Sequence, residues 1–292
     1  MGQATSAMAT EQLPVHRVRA RNTSADSENR IHDDEIAATY GFRGGLVPGV
    51  TVYGYMTLPV VSRFLDGWLE HGSMQVKFHQ PFYEGEQVIV RAEIDSDSEP
   101  IKVTITAERE DGTVCASGLA TVNDDSKWLG EPRLEDYPLA DLPPYQERPA
   151  ASAETLRPGL VLGTLTGTID LGISAADFLQ RIDARLGDYF GPRAVAHPVM
   201  LLSMANHSLM HNFKLGPWIH TASDLINWSA ARDGEEISVR GRIADRYERK
   251  GHELVVLNLL LVANGERVVQ QVRHTAIYRP RTVDRQGIDT DR

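Results

Sequence analysis

The stretch from Ser27 to Val50, SENRIHDDEIAATYGFRGGLVPGV, gathers residue types that can do chemistry. Asn29 and His32 stand three apart, and Asp33 and Asp34 follow at the head of a short segment of helical character. Gly44 and Gly45 then lead through Pro48-Gly49 into an apolar run. An imidazole can take up and return a proton near neutral pH. A glycine opening a helix leaves backbone amides free to meet an oxygen that is gaining negative charge. These parts suit acid–base chemistry at a polarised carbonyl. Taken alone, Asn29 and His32 also fit a hydrogen-bonded pair that caps a helix. The amino end of the following helix disfavours imidazolium while Asp33 and Asp34 favour it, so the charge of His32 stays open at this level.

Other residues with chemical potential carry bland readings. GFRGG lacks the Lys-Ser/Thr of a phosphate-binding loop and does not follow a clear strand, so it reads as a tight turn. Its Arg43 reads as a solvated side chain. His207 and His211 are four apart on a helix, a spacing that can hold zinc, but no HExxH pattern or third ligand accompanies them and no metal is expected. His197 reads as a buried or interface histidine. Cys115 reads as a small apolar residue inside a strand.

The elements that must position these residues occur twice. In the first half a helical stretch, PGVTVYGYMTLPVVSRFLDGWLEHG, precedes the strand SMQVKFHQPF, the turn YEGEQ, the strand VIVRAEI and a hairpin closed by Asp111-Gly112. In the second half HPVMLLSMANHSLMHNFKLG precedes WIHTASDLINWSA, the turn RDGEE, the strand ISVRGRI and a hairpin closed by Asn264-Gly265. Asp-Gly and Asn-Gly between β-rich runs are hairpin signals. A constant shift of 149 positions aligns the two halves without a gap from Asp34 to Ile94, setting Tyr40 on Tyr189, Val50 on Val199 and Gly85-Glu86 on Gly234-Glu235. This predicts an internal duplication. An apolar helix followed by antiparallel strands predicts an α+β unit whose sheet wraps around the helix, and two such units can join edge to edge into one sheet. The expected division is 1–125 and 161–281 for the two units, with a Pro-rich linker at 126–160 and a tail at 282–292. Pro59 should kink the first of these helices. Tyr53, Tyr55, Met56 and Val60 follow its period and suit either core or the lining of an apolar tunnel.

Composition narrows the classes of function. The chain has 292 residues, a formal net charge of −10 and one cysteine. The charge argues against a nucleic-acid partner, and a single cysteine permits no internal disulfide, which fits a reducing compartment. The most apolar run, LVVLNLLLV from Leu254, is too short to span a membrane, and the first residues lack the features of a signal peptide. A cytoplasmic location without membrane attachment is therefore expected, and the Asn22 and Asn206 sequons carry no weight.

The segment ENRIHDDEIAATYGFRGGLVPG resembles the hydratase motif of the MaoC-like, hot-dog-fold (R)-specific enoyl-CoA hydratases. Through the duplication the resemblance extends to the whole chain as a double hot dog. It implies action on a 2-enoyl or 3-hydroxyacyl CoA thioester by hydration or dehydration, with the thioester as substrate, no cofactor, and a homodimer as one available assembly. Thioester hydrolysis, or binding of an acyl thioester without turnover, are the alternatives. The family's catalytic His falls on His32, its motif Asn on Asn29, and the glycine whose amide polarises the thioester carbonyl on Gly49. Arg43, Gly44, Val50 and Tyr53 are the residues expected along the substrate. The sequence departs from the motif in several places. Arg30 stands for the motif proline, Pro48 for the histidine before the glycine with a spacing one residue shorter, and Ser27 for the catalytic aspartate. Asp26 and Glu28 flank Ser27 and are candidate substitutes, although neighbours in an extended segment point elsewhere. The second half keeps a histidine, His197, but has Pro198 at the glycine and Phe178 and Arg181 at the counterparts of Asn29 and His32. One site per chain, built from first-half residues at the interface of the halves, is the expectation.

Overall fold

The computed structural model describes residues 10–95, 98–122, 130, 132–172, 178–180, 189 and 194–282. Arg181, the tail beyond 282 and part of the linker lie outside them. The first half contains β1 (Thr10–Gln12), β2 (His16–Arg19), a 3-10 turn (Arg30–His32), α1 (Asp34–Thr39), α2 (Gly49–Phe64), α3 (Asp66–Leu69), β3 (Ser73–Phe78), β4 (Gln87–Asp95), β5 (Ile101–Glu108) and β6 (Val114–Val122). The second half contains β7 (Val161–Thr168), α4 (Pro198–Asn212), β8 (Ile219–Asn227), β9 (Glu236–Arg249), β10 (His252–Ala263) and β11 (Arg267–Arg279).

All these strands form one sheet in the order β1-β4-β5-β6-β3-β8-β11-β10-β9-β7, with β2 also on β4. The order from β4 to β3 is mirrored from β8 to β9, so the two halves meet where β3 pairs antiparallel with β8. At that seam Gln75 stands opposite Asp224, the residue 149 positions later, so the pseudo-twofold passes through the pair. The same offset relates the starts of α2 and α4 (Gly49, Pro198) and of β4 and β9 (Gln87, Glu236). Joining at β3 and β8 leaves neither strand with an unpaired edge.

The hairpins follow their turn residues. Asn264 and Gly265 both have positive φ, 50° and 82°, in the three-residue connection between the paired Ala263 and Arg267, where Glu266 N–H donates to the Ala263 carbonyl. Helix α2 is rich in valine and threonine, which are indifferent helix formers. Packing holds it: every residue from Val50 to Thr57 is buried, and the helix lies against the sheet and against α4. The helices approach closely at Gly54, where a Cβ would lie 3.3 Å from the Val199 Cβ. Cys115 is fully buried in β6.

Candidate functional site

His32 sits at the end of the 3-10 turn, and the sequence around it is arranged to hold the ring still. Asn29 caps that turn through Ile31 N–H, and Asp33 caps α1 through Ile36 N–H. Asp34 Oδ1 accepts from Gly45 N–H at 2.7 Å, drawing the GFRGG turn against the histidine loop. A side chain at residue 45 would collide with the His32 carbonyl, since a Cβ there would lie 2.0 Å from its oxygen. The turn is a packing device beneath His32.

His32 Nδ1 is 2.6 Å from the Leu46 carbonyl oxygen. A carbonyl only accepts, so Nδ1 carries the proton and Nε2 presents a lone pair. Burial lowers the pKa of the ring and favours the neutral form, while the bond to Leu46 acts in the opposite direction. Asp33 and Asp34 are committed to helix and turn amides.

Asn29 is buried and joins the halves. Its Oδ1 accepts from the N–H groups of Ile31 (3.3 Å) and Trp218 (3.1 Å), which fixes the orientation of the amide. Its Nδ2 donates to the Trp218 carbonyl at 2.9 Å and lies 3.4 Å from His32 Nε2. Gly49 opens α2 behind Pro48, and no side chain caps that end, so first-turn amides are free of side-chain partners.

Asn29, His32 and Gly49 all line one cavity of about 280 Å³ at the seam. The first half adds Phe42, Leu46, Val52 and the Phe78–Phe82 segment, while the second adds Asn206, Trp218–Thr221, His252 and Ile277. An apolar cavity with few convergent polar groups is the usual form of a small-molecule site. Among the described residues that line it there is no Asp or Glu.

The remaining predicted residues lie elsewhere. Asp26 and Glu28 are exposed, and Ser27 Oγ donates to the Asn29 carbonyl at 3.4 Å. Glu28 borders a separate small depression with Arg148 and Lys214. Arg43 is exposed, forms an ion pair with Glu86 and lies 4.2 Å over the Tyr83 ring. Gly44 packs on Asp34 and Tyr83. Val50 and Tyr53 are buried in the core and do not border the cavity. His197 is buried at the start of α4, accepts at Nδ1 from Val199 N–H and rests on Tyr189 with ring centroids 4.5 Å apart. The His207 and His211 rings are 6.2 Å apart, and no cluster of three metal-ligating side chains occurs among the described residues. Nor does any helix among them have the length and apolarity to cross a membrane.

Sequence reading missed the second-half contribution: Trp218, His220 and His252 reach the cavity only through the β3–β8 seam. WIHTASD carries no local motif, so the signal lay only in the duplication itself.

By sequence, no protein-family model and no curated protein matches this chain. Solved structures do match over nearly all of it. A MaoC-like dehydratase aligns with 94% of this chain and 99% of its own at 12% identity and a TM-score of 0.62. A protein from Mycobacterium tuberculosis with a double hotdog fold aligns over 93% and 96% at 16% identity, with a TM-score of 0.60. The chain is a double hot dog. An N-terminal dehydratase from the difficidin assembly line matches this double hot dog over 95% of the chain and 96% of its own, at 16% identity and a TM-score of 0.51. Likenesses at these identities establish the fold, and chemistry has to be argued from the site.

Proposed function

We propose that this double hot dog acts on an acyl thioester, adding water to a 2-enoyl thioester or removing it from a 3-hydroxyacyl thioester. One observation carries the reading: a neutral imidazole, its Nε2 lone pair met by the long 3.4 Å contact from Asn29 Nδ2, and a helix amino end without a side-chain cap border the same seam cavity. In hydration His32 Nε2 takes a proton from water as the water oxygen bonds to the β-carbon. The electron pair of the C=C bond moves onto the carbonyl oxygen, against the amides at Gly49. The same imidazolium then returns its proton to the α-carbon, so one group balances the reaction and no carboxylate is needed at the cavity. His32 is the catalytic residue, and Asn29 positions its loop against Trp218. Arg43, with its exposed guanidinium, is available to a coenzyme's phosphates only at the expense of its pair with Glu86.

The cavity's lack of a carboxylate favours a second reading, acyl-thioester binding without turnover. Incubation with crotonyl-CoA and longer 2-enoyl-CoAs, followed by loss of enoyl absorbance, separates the two. The proposal expects turnover that falls on the order of 10²-fold to 10⁴-fold in His32→Ala. Binding without turnover leaves the second reading, and release of free CoA would mark a thioesterase.

A further inference from the structure

A polar chain from the second half ends in the same cavity. His220 borders the cavity, is only 7% exposed, and has an unpartnered Nδ1. Its Nε2 is 2.9 Å from Ser223 Oγ, which is 3.0 Å from Nδ1 of the fully buried His274. The two imidazole rings lie 4.2 Å apart between centroids, inclined by 32°. Phe78 meets the other side of His220 edge-on at 4.8 Å. The free Nδ1 faces the start of α2: a Cβ at Gly49 would lie 3.0 Å from it.

This arrangement depends on an irregularity in β8. Residues three apart on a regular strand point to opposite faces. Here Thr275 pairs with Ala222 and Ala276 with His220, so Thr221 is a one-residue bulge. The extra residue turns His220 onto the face that carries Ser223 and its cross-strand partner His274.

Building on the thioester reading above, we propose that His220 is a second donor to the thioester carbonyl, its Nδ1–H converging with the α2 amides on the oxygen that becomes negative. Ser223 has one hydroxyl proton to share between two rings. When it donates to His220 Nε2 and accepts from His274 Nδ1–H, the proton of His220 resides on Nδ1. A carbonyl oxygen, which can only accept, selects that arrangement. Burial, with His274 nearby, outweighs a backbone hydrogen bond at Ala222 and holds the pKa of His220 well below the ordinary histidine value, so the ring stays neutral and donates without giving up its proton. A fixed neutral donor held in a buried ring stabilises developing charge at little cost in reorganisation. The electron flow is the one given above, with no bond to His220 made or broken.

Butyryl-CoA, which has no C=C bond to hydrate, is the probe. With a carbon-13 label at its carbonyl, infrared difference spectroscopy reads polarisation in the bound state. The wild-type protein should shift the carbonyl band to lower frequency. His220→Phe, which fills the ring slot without a donor, should lose much of that shift, His220→Gln should keep part of it, and His32→Ala should keep it all. With crotonyl-CoA, His220→Phe should lower kcat on the order of 10²-fold to 10³-fold with a smaller change in KM. An unchanged band in His220→Phe overturns the proposal and leaves the thioester reading standing. Failure of the wild-type protein to bind butyryl-CoA overturns both. Should His220→Phe not fold, nitrogen-15 histidine spectra of the wild-type complex decide: His220 protonated at Nδ1 supports the proposal, and protonation at Nε2 alone overturns it.

Discussion

At the scale of single residues, the tautomer of His32 is set by one carbonyl. Leu46 takes the Nδ1 proton, and burial keeps the ring neutral, so the base form persists below the ordinary histidine value of 6.5. For hydration of crotonyl-CoA, kcat/KM should therefore rise with pH through a value below 6.5 and be level above it. That acid limb should vanish in His32→Ala. Two other histidines make acid stability measurable. Burial pushes His197 and His274 down to about 3. The unfolded chain binds these protons near 6.5, whereas the folded one does so only near 3. Their contribution is complete above 6.5 and declines as the pH falls, by about 1.4 kcal/mol per unit for each ring. Urea unfolding at about pH 7 and about pH 5 should differ by on the order of a few kcal/mol, the neutral sample being the more stable.

At the scale of elements, the site is a helix amino end held against a bulged strand. A side chain at residue 49 would crowd this junction, because His220 Nδ1 and Phe78 Cε2 would lie 3.0 and 3.2 Å from its Cβ. Gly49→Ala should displace the His220 ring or the start of α2, at a stability cost of about 1–3 kcal/mol by thermal unfolding and with a drop in kcat larger than that cost in folded population explains. The helices, the hairpins and the loop carrying Asn29, His32 and Gly49 were legible in the sequence because each is written locally, in apolar period, turn residues and spacing. The bulge at Thr221 was not, because a one-residue register shift depends on the partner strand. The same holds for Asn29, whose partners at Trp218 are 189 positions away. Asp26 and Glu28 looked like available carboxylates by proximity in sequence, yet both face solvent and neither borders the cavity.

At the scale of the whole molecule, duplication creates the site. The offset of 149 positions, read from sequence, reappears as the Gln75–Asp224 pair at the centre of the seam. The cavity takes walls from both halves, so neither half holds it alone. Expressed separately, the halves should expose the edges of β3 and β8, self-associate in size-exclusion chromatography and fail to bind butyryl-CoA, whereas co-expression should restore binding. The most direct measurement is a crystal structure with bound butyryl-CoA. The account predicts the acyl group in the seam cavity, with its carbonyl oxygen about 3 Å from an α2 amide and from His220 Nδ1 and its β-carbon toward His32 Nε2. An acyl group bound outside the seam, or a carbonyl turned away from the start of α2, would contradict it.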